Sequence, residues 1–160
     1  MLLTLHLLIS LLALLAGACF SLALLTHKPG ALLHSLFWWL TLLTSLSGVI
    51  LPADKFLPSH LFAILSLLVL ALSGYAWWKT ALTGGWRVSF IVCSLFAFYL
   101  NAFVAVVQSF MKLPPLRQLA PTQSEPPFAV AQAVLFVIFL LLGYLSFSRR
   151  NSWASQSEER

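Results

Sequence analysis

Side chains able to do chemistry are sparse in this chain, and several of them fall inside long apolar stretches. They are the histidines His6, His27, His34 and His60, the amides Asn101, Gln108, Gln123 and Gln132, and the carboxylate of Glu125. A neutral imidazole is a common metal ligand. His6 and His60 fall at similar depth in different apolar segments, the arrangement a bis-histidine b-type haem needs. His27 and His34 form a second such pair near the other side, although His27, next to Lys28 in a turn, reads better as solvated. His6, His60 and Glu125 together offer a divalent metal a mixed nitrogen and oxygen set. His60 with Glu125 is the one acid–base pair that could serve an enzyme acting on a quinone or a lipid. No H-E-x-x-H, glycine-rich phosphate loop or nucleophile elbow occurs. Cys19 and Cys93 have no C-x-x-C spacing and read as small apolar residues, or as a redox or metal pair if they share a depth. No Asp or Glu falls inside an apolar segment, which argues against the usual proton-driven transporter.

The elements that position these groups follow from composition. Of 160 residues, 61% are hydrophobic and 8% charged, against roughly 25% charged in a soluble domain. One water-facing core of this size cannot hide so much apolar surface; lipid removes the requirement. A bilayer core of about 30 Å takes roughly 20 apolar residues as helix, and five stretches qualify: about 2–26, 31–51, 59–78, 88–111 and 128–147. Helix is required because lipid cannot satisfy an open backbone. The expected fold is therefore all-α, an antiparallel five-helix membrane bundle. Residues 1–148 form the single transmembrane domain and 149–160 a polar tail. The first stretch lacks a basic leader and exceeds a signal core of about 7–15 residues, so it reads as a span.

Five spans put the termini on opposite sides. Lys28, Lys79, Arg87, Arg149, Arg150 and Arg160 share one side; Lys55, Lys112 and Arg117 share the other. The positive-inside bias puts the C-terminus in the cytoplasm and the N-terminus outside. Trp38, Trp39, Trp77, Trp78 and Trp86 cluster at the cytoplasmic ends, as an interfacial belt does. Basic residues scattered at segment ends form no stripe, which excludes a nucleic-acid partner. Residues 112–127 hold five of the eight prolines and three leucines, too apolar for a disordered linker. An ordered cap over the outer mouth is expected, with Ser124 capping the fifth helix and Glu125 at its positive end.

Polar groups in lipid usually face the bundle interior or a cavity. His6, Ser10, Ala13, Gly17 and Ser21 share a face of the first helix; Ser94, Asn101, Gln108 and Lys112 share one of the fourth; Ser59, Ser66 and Ser73 repeat by sevens on the third. His6, His60, Asn101, Gln108 and Gln132, with Gln123 and Glu125 in the cap, converge on the outer half. That convergence predicts a ligand-binding site with Asn101, Gln108 and Gln132 as floor, His6 and His60 as walls, and the cap as lid. The competing expectation is ordinary interhelical glue, in which case the chain is a structural subunit of a membrane complex and its stripes face lipid or a partner protein.

The stretch Tyr99–Gln132, with Leu43-Thr44-Ser45, Gly48, Pro52 and Pro58-Ser59-His60, resembles a group of small bacterial inner-membrane proteins to which no activity is assigned. The block Leu119–Phe128, LAPTQSEPPF, is the most specific part, and the likeness covers most of residues 5–147. It implies a five-helix inner-membrane protein and no particular activity. The pattern falls here on His60, Asn101, Gln108, Lys112, Thr122, Gln123, Ser124, Glu125 and Gln132. His27 and His34 lie outside it, which weakens a two-haem reading.

Overall fold

The structure, a computed structural model, describes residues 2–26, 30–50 and 58–148. It is all-helical among these residues: α1 Leu2–Thr26, α2 Ala31–Ile50, α3 Pro58–Lys79, α4 Trp86–Lys112, α5 Pro114–Leu119 and α6 Pro126–Ser148. All but α5 are long and apolar enough to cross a membrane, the mark of a multi-pass membrane protein. Proline sets several boundaries. Pro58 opens α3, Pro114 and Pro115 open α5, and Pro126 opens α6, two residues earlier than the apolar run suggested. Proline lacks the N–H that a first turn leaves unused, and its fixed φ suits that position. Leu113, ahead of the proline pair, is extended at φ −86°, ψ 118°, as a residue before proline must be.

Around α4 pack α1, α3 and α6; α2 fills in between α1 and α3. In lipid the hydrophobic effect does not draw helices together, so packing and hydrogen bonds must. The core at the Trp77 end is largely aromatic. Phe20 stacks on Phe37 with centroids 4.8 Å apart and meets Phe90 edge-on at 5.9 Å. The Trp38 indole donates to the Leu70 carbonyl at 2.9 Å. Gly74 permits this: a Cβ there would lie 2.8 Å from Trp78 and 3.0 Å from Trp38 Nε1. Between α3 and α4 the backbone turns through Ala81 and Leu82 with φ of 50° and 59°. Left-handed non-glycine residues cost about 1–3 kcal/mol each, and burial of the Leu82 side chain in the core offsets part of that cost.

One contact governs how α1 lies on α4. Gly17 is buried against the ring of Phe98, and a Cβ at that position would fall 2.4 Å from the ring. On the N-terminal side of Gly17, α1 residues from Leu3 to Leu14 and α4 residues from Leu100 to Lys112 line a common cavity.

Candidate functional site

The cavity holds about 670 Å³ and is lined by α1, α2, α3 and α4 plus Leu113. Its wall on α1 is apolar: Leu3, Leu7, Leu11 and Leu14, with His6 and Ser10 interleaved. Its wall on α4 carries Asn101, Gln108, Ser109 and Lys112. At 1.5 Å per residue, Lys112 stands about 16 Å above Asn101 along that helix. Volume and mixed lining fit a small-molecule site, mostly apolar with a few placed polar groups.

Hydrogen bonding decides which polar groups are spent. Ser45 donates to Ser66 at 3.1 Å, and the Asn101 amide reaches Thr41 Oγ1 at 3.4 Å. These pairs join α2 to α3 and α4 and form the floor. A turn or two lower, Ser73 and Ser94 meet at 2.7 Å between α3 and α4. Ser10 and Ser109 are spent on carbonyls of their own helices, His6 O and Ala105 O. His6 Nδ1 lies 2.7 Å from Ser47 Oγ. Ser47 gives its own proton to the Leu43 carbonyl, also at 2.7 Å, so it must accept from the imidazole. His6 is thereby fixed with its proton on Nδ1 and a lone pair on Nε2. Among the described residues Nε2 has one polar contact, Ser10 Oγ at 3.5 Å, at the long limit of a hydrogen bond, so a better-placed donor can replace it. Thr44 Oγ1 also lines the cavity, buried and with no partner among the described residues. Gln108 and Lys112 form no hydrogen bond or ion pair with a described residue.

The expected site residues divide cleanly. His6, His60, Asn101 and Gln108 line this one cavity; Gln123, Glu125 and Gln132 do not. Gln132 instead reaches across to α4, its amide donating to the Phe103 carbonyl at 3.4 Å while Oε1 stays buried and unpaired. Glu125 is the residue that caps α6, in place of Ser124: its carbonyl accepts from Phe128 and Ala129 N–H. Its carboxylate turns back on its own loop. It accepts from Thr122 N–H at 3.1 Å, Thr122 Oγ1 at 2.8 Å and Ser124 N–H at 3.1 Å. Slight desolvation pushes the carboxyl up, but these bonds to the ionised form outweigh it and hold the group below its ordinary pKa. Gln123 sits at the bend of this loop with φ 61°. The inward-facing Glu125 and the His60–Glu125 acid–base pair are thus corrected: short-range bonds capture the carboxylate before it can reach the cavity.

The metal and haem expectations fare as follows. No group of three or more His, Cys, Asp or Glu side chains comes together to hold a metal ion among the described residues. His6 and His60 do share the cavity. His34 does not join a second pair: it is fully buried in a box of rings, stacked on Trp77 at 4.2 Å with Trp78 and Phe90 at 5.3 and 5.2 Å. No room remains beside its nitrogens for a macrocycle, and neither nitrogen has a hydrogen-bond partner. His27, its expected mate, lies outside the described residues, as does the side chain of Ser59. Cys19 and Cys93 are both free thiols, the first exposed and the second buried.

Thr44 and Lys112 also line the cavity, beyond the site residues the sequence points to. The signal for Thr44 was its place one turn from both Thr41 and Gly48 on α2, the same face that supplies the floor.

The chain matches no protein-family model, no curated protein and no solved structure. Function must therefore be argued from the cavity itself.

Proposed function

We propose that this is a multi-pass protein of the bacterial inner membrane, and that it binds a small, largely apolar molecule with a polar head in the cavity between α1 and α4. The observation that carries the reading is the pairing of an apolar α1 wall with unspent polar groups on the facing side. Among the described residues, Thr44 Oγ1, Gln108 and Lys112 have no hydrogen-bond or ion-pair partner and His6 Nε2 has only the 3.5 Å contact to Ser10, and of these the groups held away from solvent are costly to leave unpaired in a lipid-embedded interior. A ligand or ordered water that bonds to them recovers that cost. The antiparallel arrangement follows from consecutive spans crossing in alternate directions. The Lys and Arg distribution then puts the cavity mouth, with Lys112, on the outer face. The structural-subunit reading needs stripes that face outward. Ser45, Ser66, Ser73 and Ser94 are instead buried and paired within the chain.

The test is saturable binding of the neutral dye Nile red to purified protein, compared between the wild type and Ala105→Phe. Ala105 lines the cavity, so the larger side chain fills it. Loss of the saturable component supports the reading. Equal binding by both proteins overturns it.

A further inference from the structure

We infer that the occupant of the cavity is a single-chain amphiphile with an acidic head, a carboxylic acid or a phosphate monoester, and that Lys112 holds its charge. This rests on the cavity reading above and deepens it by naming the ligand class.

Charge comes first. Lys112 is the sole Lys or Arg lining the cavity among the described residues, and no Asp or Glu there balances it. The nearest acid in sequence, Glu125, is bound to Thr122 and Ser124. An ammonium at the mouth of a low-dielectric pocket, with no counter-charge beside it among the described residues, favours an anion there.

Head chemistry comes second. One turn below Lys112, Gln108 offers an amide with both a donor and an acceptor. His6 offers only an acceptor, because Ser47 fixes its proton on Nδ1. An acidic head answers the Lys112 charge when ionised and the His6 acceptor when protonated. Its oxygens accept from Lys112 and Gln108, and its hydroxyl, when protonated, donates to His6 Nε2. A fixed cation such as a quaternary ammonium has nothing to donate and is repelled by Lys112. A plain ester can accept from Lys112 but leaves its charge uncompensated and offers His6 Nε2 no donor.

Tail chemistry comes third. Beneath the head, the cavity is walled by Leu7, Leu11, Leu14, Leu100 and Val104 and runs about 16 Å down to the Asn101 floor. A volume near 670 Å³ suits one drug-sized molecule, so it suits one acyl chain and not a two-chain lipid. Leu7 and Leu11 line the cavity yet remain 40% and 63% exposed. The α1 wall is therefore an edge, past which a chain dissolved in the bilayer can slide in sideways.

The experiment uses the full chain in nanodiscs of zwitterionic lipid, with dansyl-undecanoic acid as the fluorescent probe. Saturable binding is expected, displaced by dodecanoic acid and dodecyl phosphate but not by methyl dodecanoate. Inorganic phosphate, which lacks the tail, should not displace it. Lys112→Gln should weaken the probe roughly tenfold or more, as loss of a charge-assisted bond does, and Lys112→Arg should retain most of the affinity. The SDS-unfolding midpoint of Lys112→Gln should stay near wild type, which shows that the bundle still forms. If methyl dodecanoate displaces the probe as well as the acid does, or Lys112→Gln binds the acid normally, the acidic-head assignment is overturned. Displacement by inorganic phosphate alone would overturn the amphiphile and leave an anion site. The cavity reading fails separately, through unchanged Nile red binding in Ala105→Phe.

Discussion

Gly17→Ala should destabilise the bundle although alanine is the better helix former. Two opposed magnitudes decide the sign. Replacing a mid-helix glycine by alanine gains about 1 kcal/mol in helix propensity. Against this, the new methyl would sit 2.4, 2.7 and 2.9 Å from three ring atoms of Phe98. Bringing the nearest one out to an ordinary 3.4 Å contact requires about 1 Å of separation between α1 and α4. The ring cannot simply swing aside, because Phe37 and Phe139 pack edge-on against it with centroids at 6.3 and 5.0 Å. Overpacking of this kind costs about 1–3 kcal/mol, at times more. A net loss of up to about 2 kcal/mol is expected, read as an earlier midpoint in SDS-induced unfolding followed by tryptophan fluorescence. Gly143→Ala is the matched control, since a Cβ there meets nothing within 4 Å; it should leave the midpoint unchanged or raise it. Adding Phe98→Leu to Gly17→Ala should recover part of the loss. Gly17→Ala at or above wild-type stability would refute the close approach of α1 to α4 at this point.

Three further outcomes are expected. Ser73→Ala and Ser94→Ala, combined in a double-mutant cycle, should show a coupling of about 0.6 kcal/mol and at most about 1.7 kcal/mol; additive effects would mean that the 2.7 Å contact contributes nothing. His34→Phe should be close to neutral or mildly stabilising, because an apolar ring replaces one with two unpaired buried nitrogens, whereas His34→Ala should lose about 3 kcal/mol or more through the cavity it leaves. A large loss in His34→Phe would mean that an imidazole nitrogen has a partner. The Glu125 carboxyl ionises below its ordinary value of 4.5 when folded. Its contribution to the order of the 120–125 turn is then complete above that pH and disappears as pH falls through the depressed value. Slower amide exchange at Thr122 and Ser124 at pH 6 than at pH 3, after correction for intrinsic rates, checks this, and Glu125→Gln should abolish the difference.

The spans were readable because lipid leaves the backbone no alternative to helix, and Pro, Lys and Arg punctuate their ends. The heptad spacing of Ser66 and Ser73, and of Ser94, Asn101 and Gln108, was readable as inward-facing stripes. Their pairing with Ser45, Thr41 and one another needed the third dimension. Four of the seven expected site residues share the cavity because they lie on spans whose facing sides the spacing already fixed. Glu125 and Gln123 lie in a loop, where spacing says nothing of direction, and bonds spanning three residues or fewer won over the distant cavity. Gln132 sat at a suitable depth, but α6 packs on the outer flank of α4, and its register was not encoded in depth alone. The contact of Gly17 with Phe98 is a long-range steric fit that no pattern in either helix announces.

The placement of α6 bears on how the molecule is made. Ser146 is its one buried residue, and it leans on α4 through Phe139 against Phe98 and Tyr99 and through Phe136 against Tyr99. Every wall of the cavity comes from α1 to α4 and Leu113, all of which leave the ribosome earlier. The residues that line the cavity are thus covalently complete before α6 is translated, and the late helix packs along the back of α4, against a wall it does not help to line.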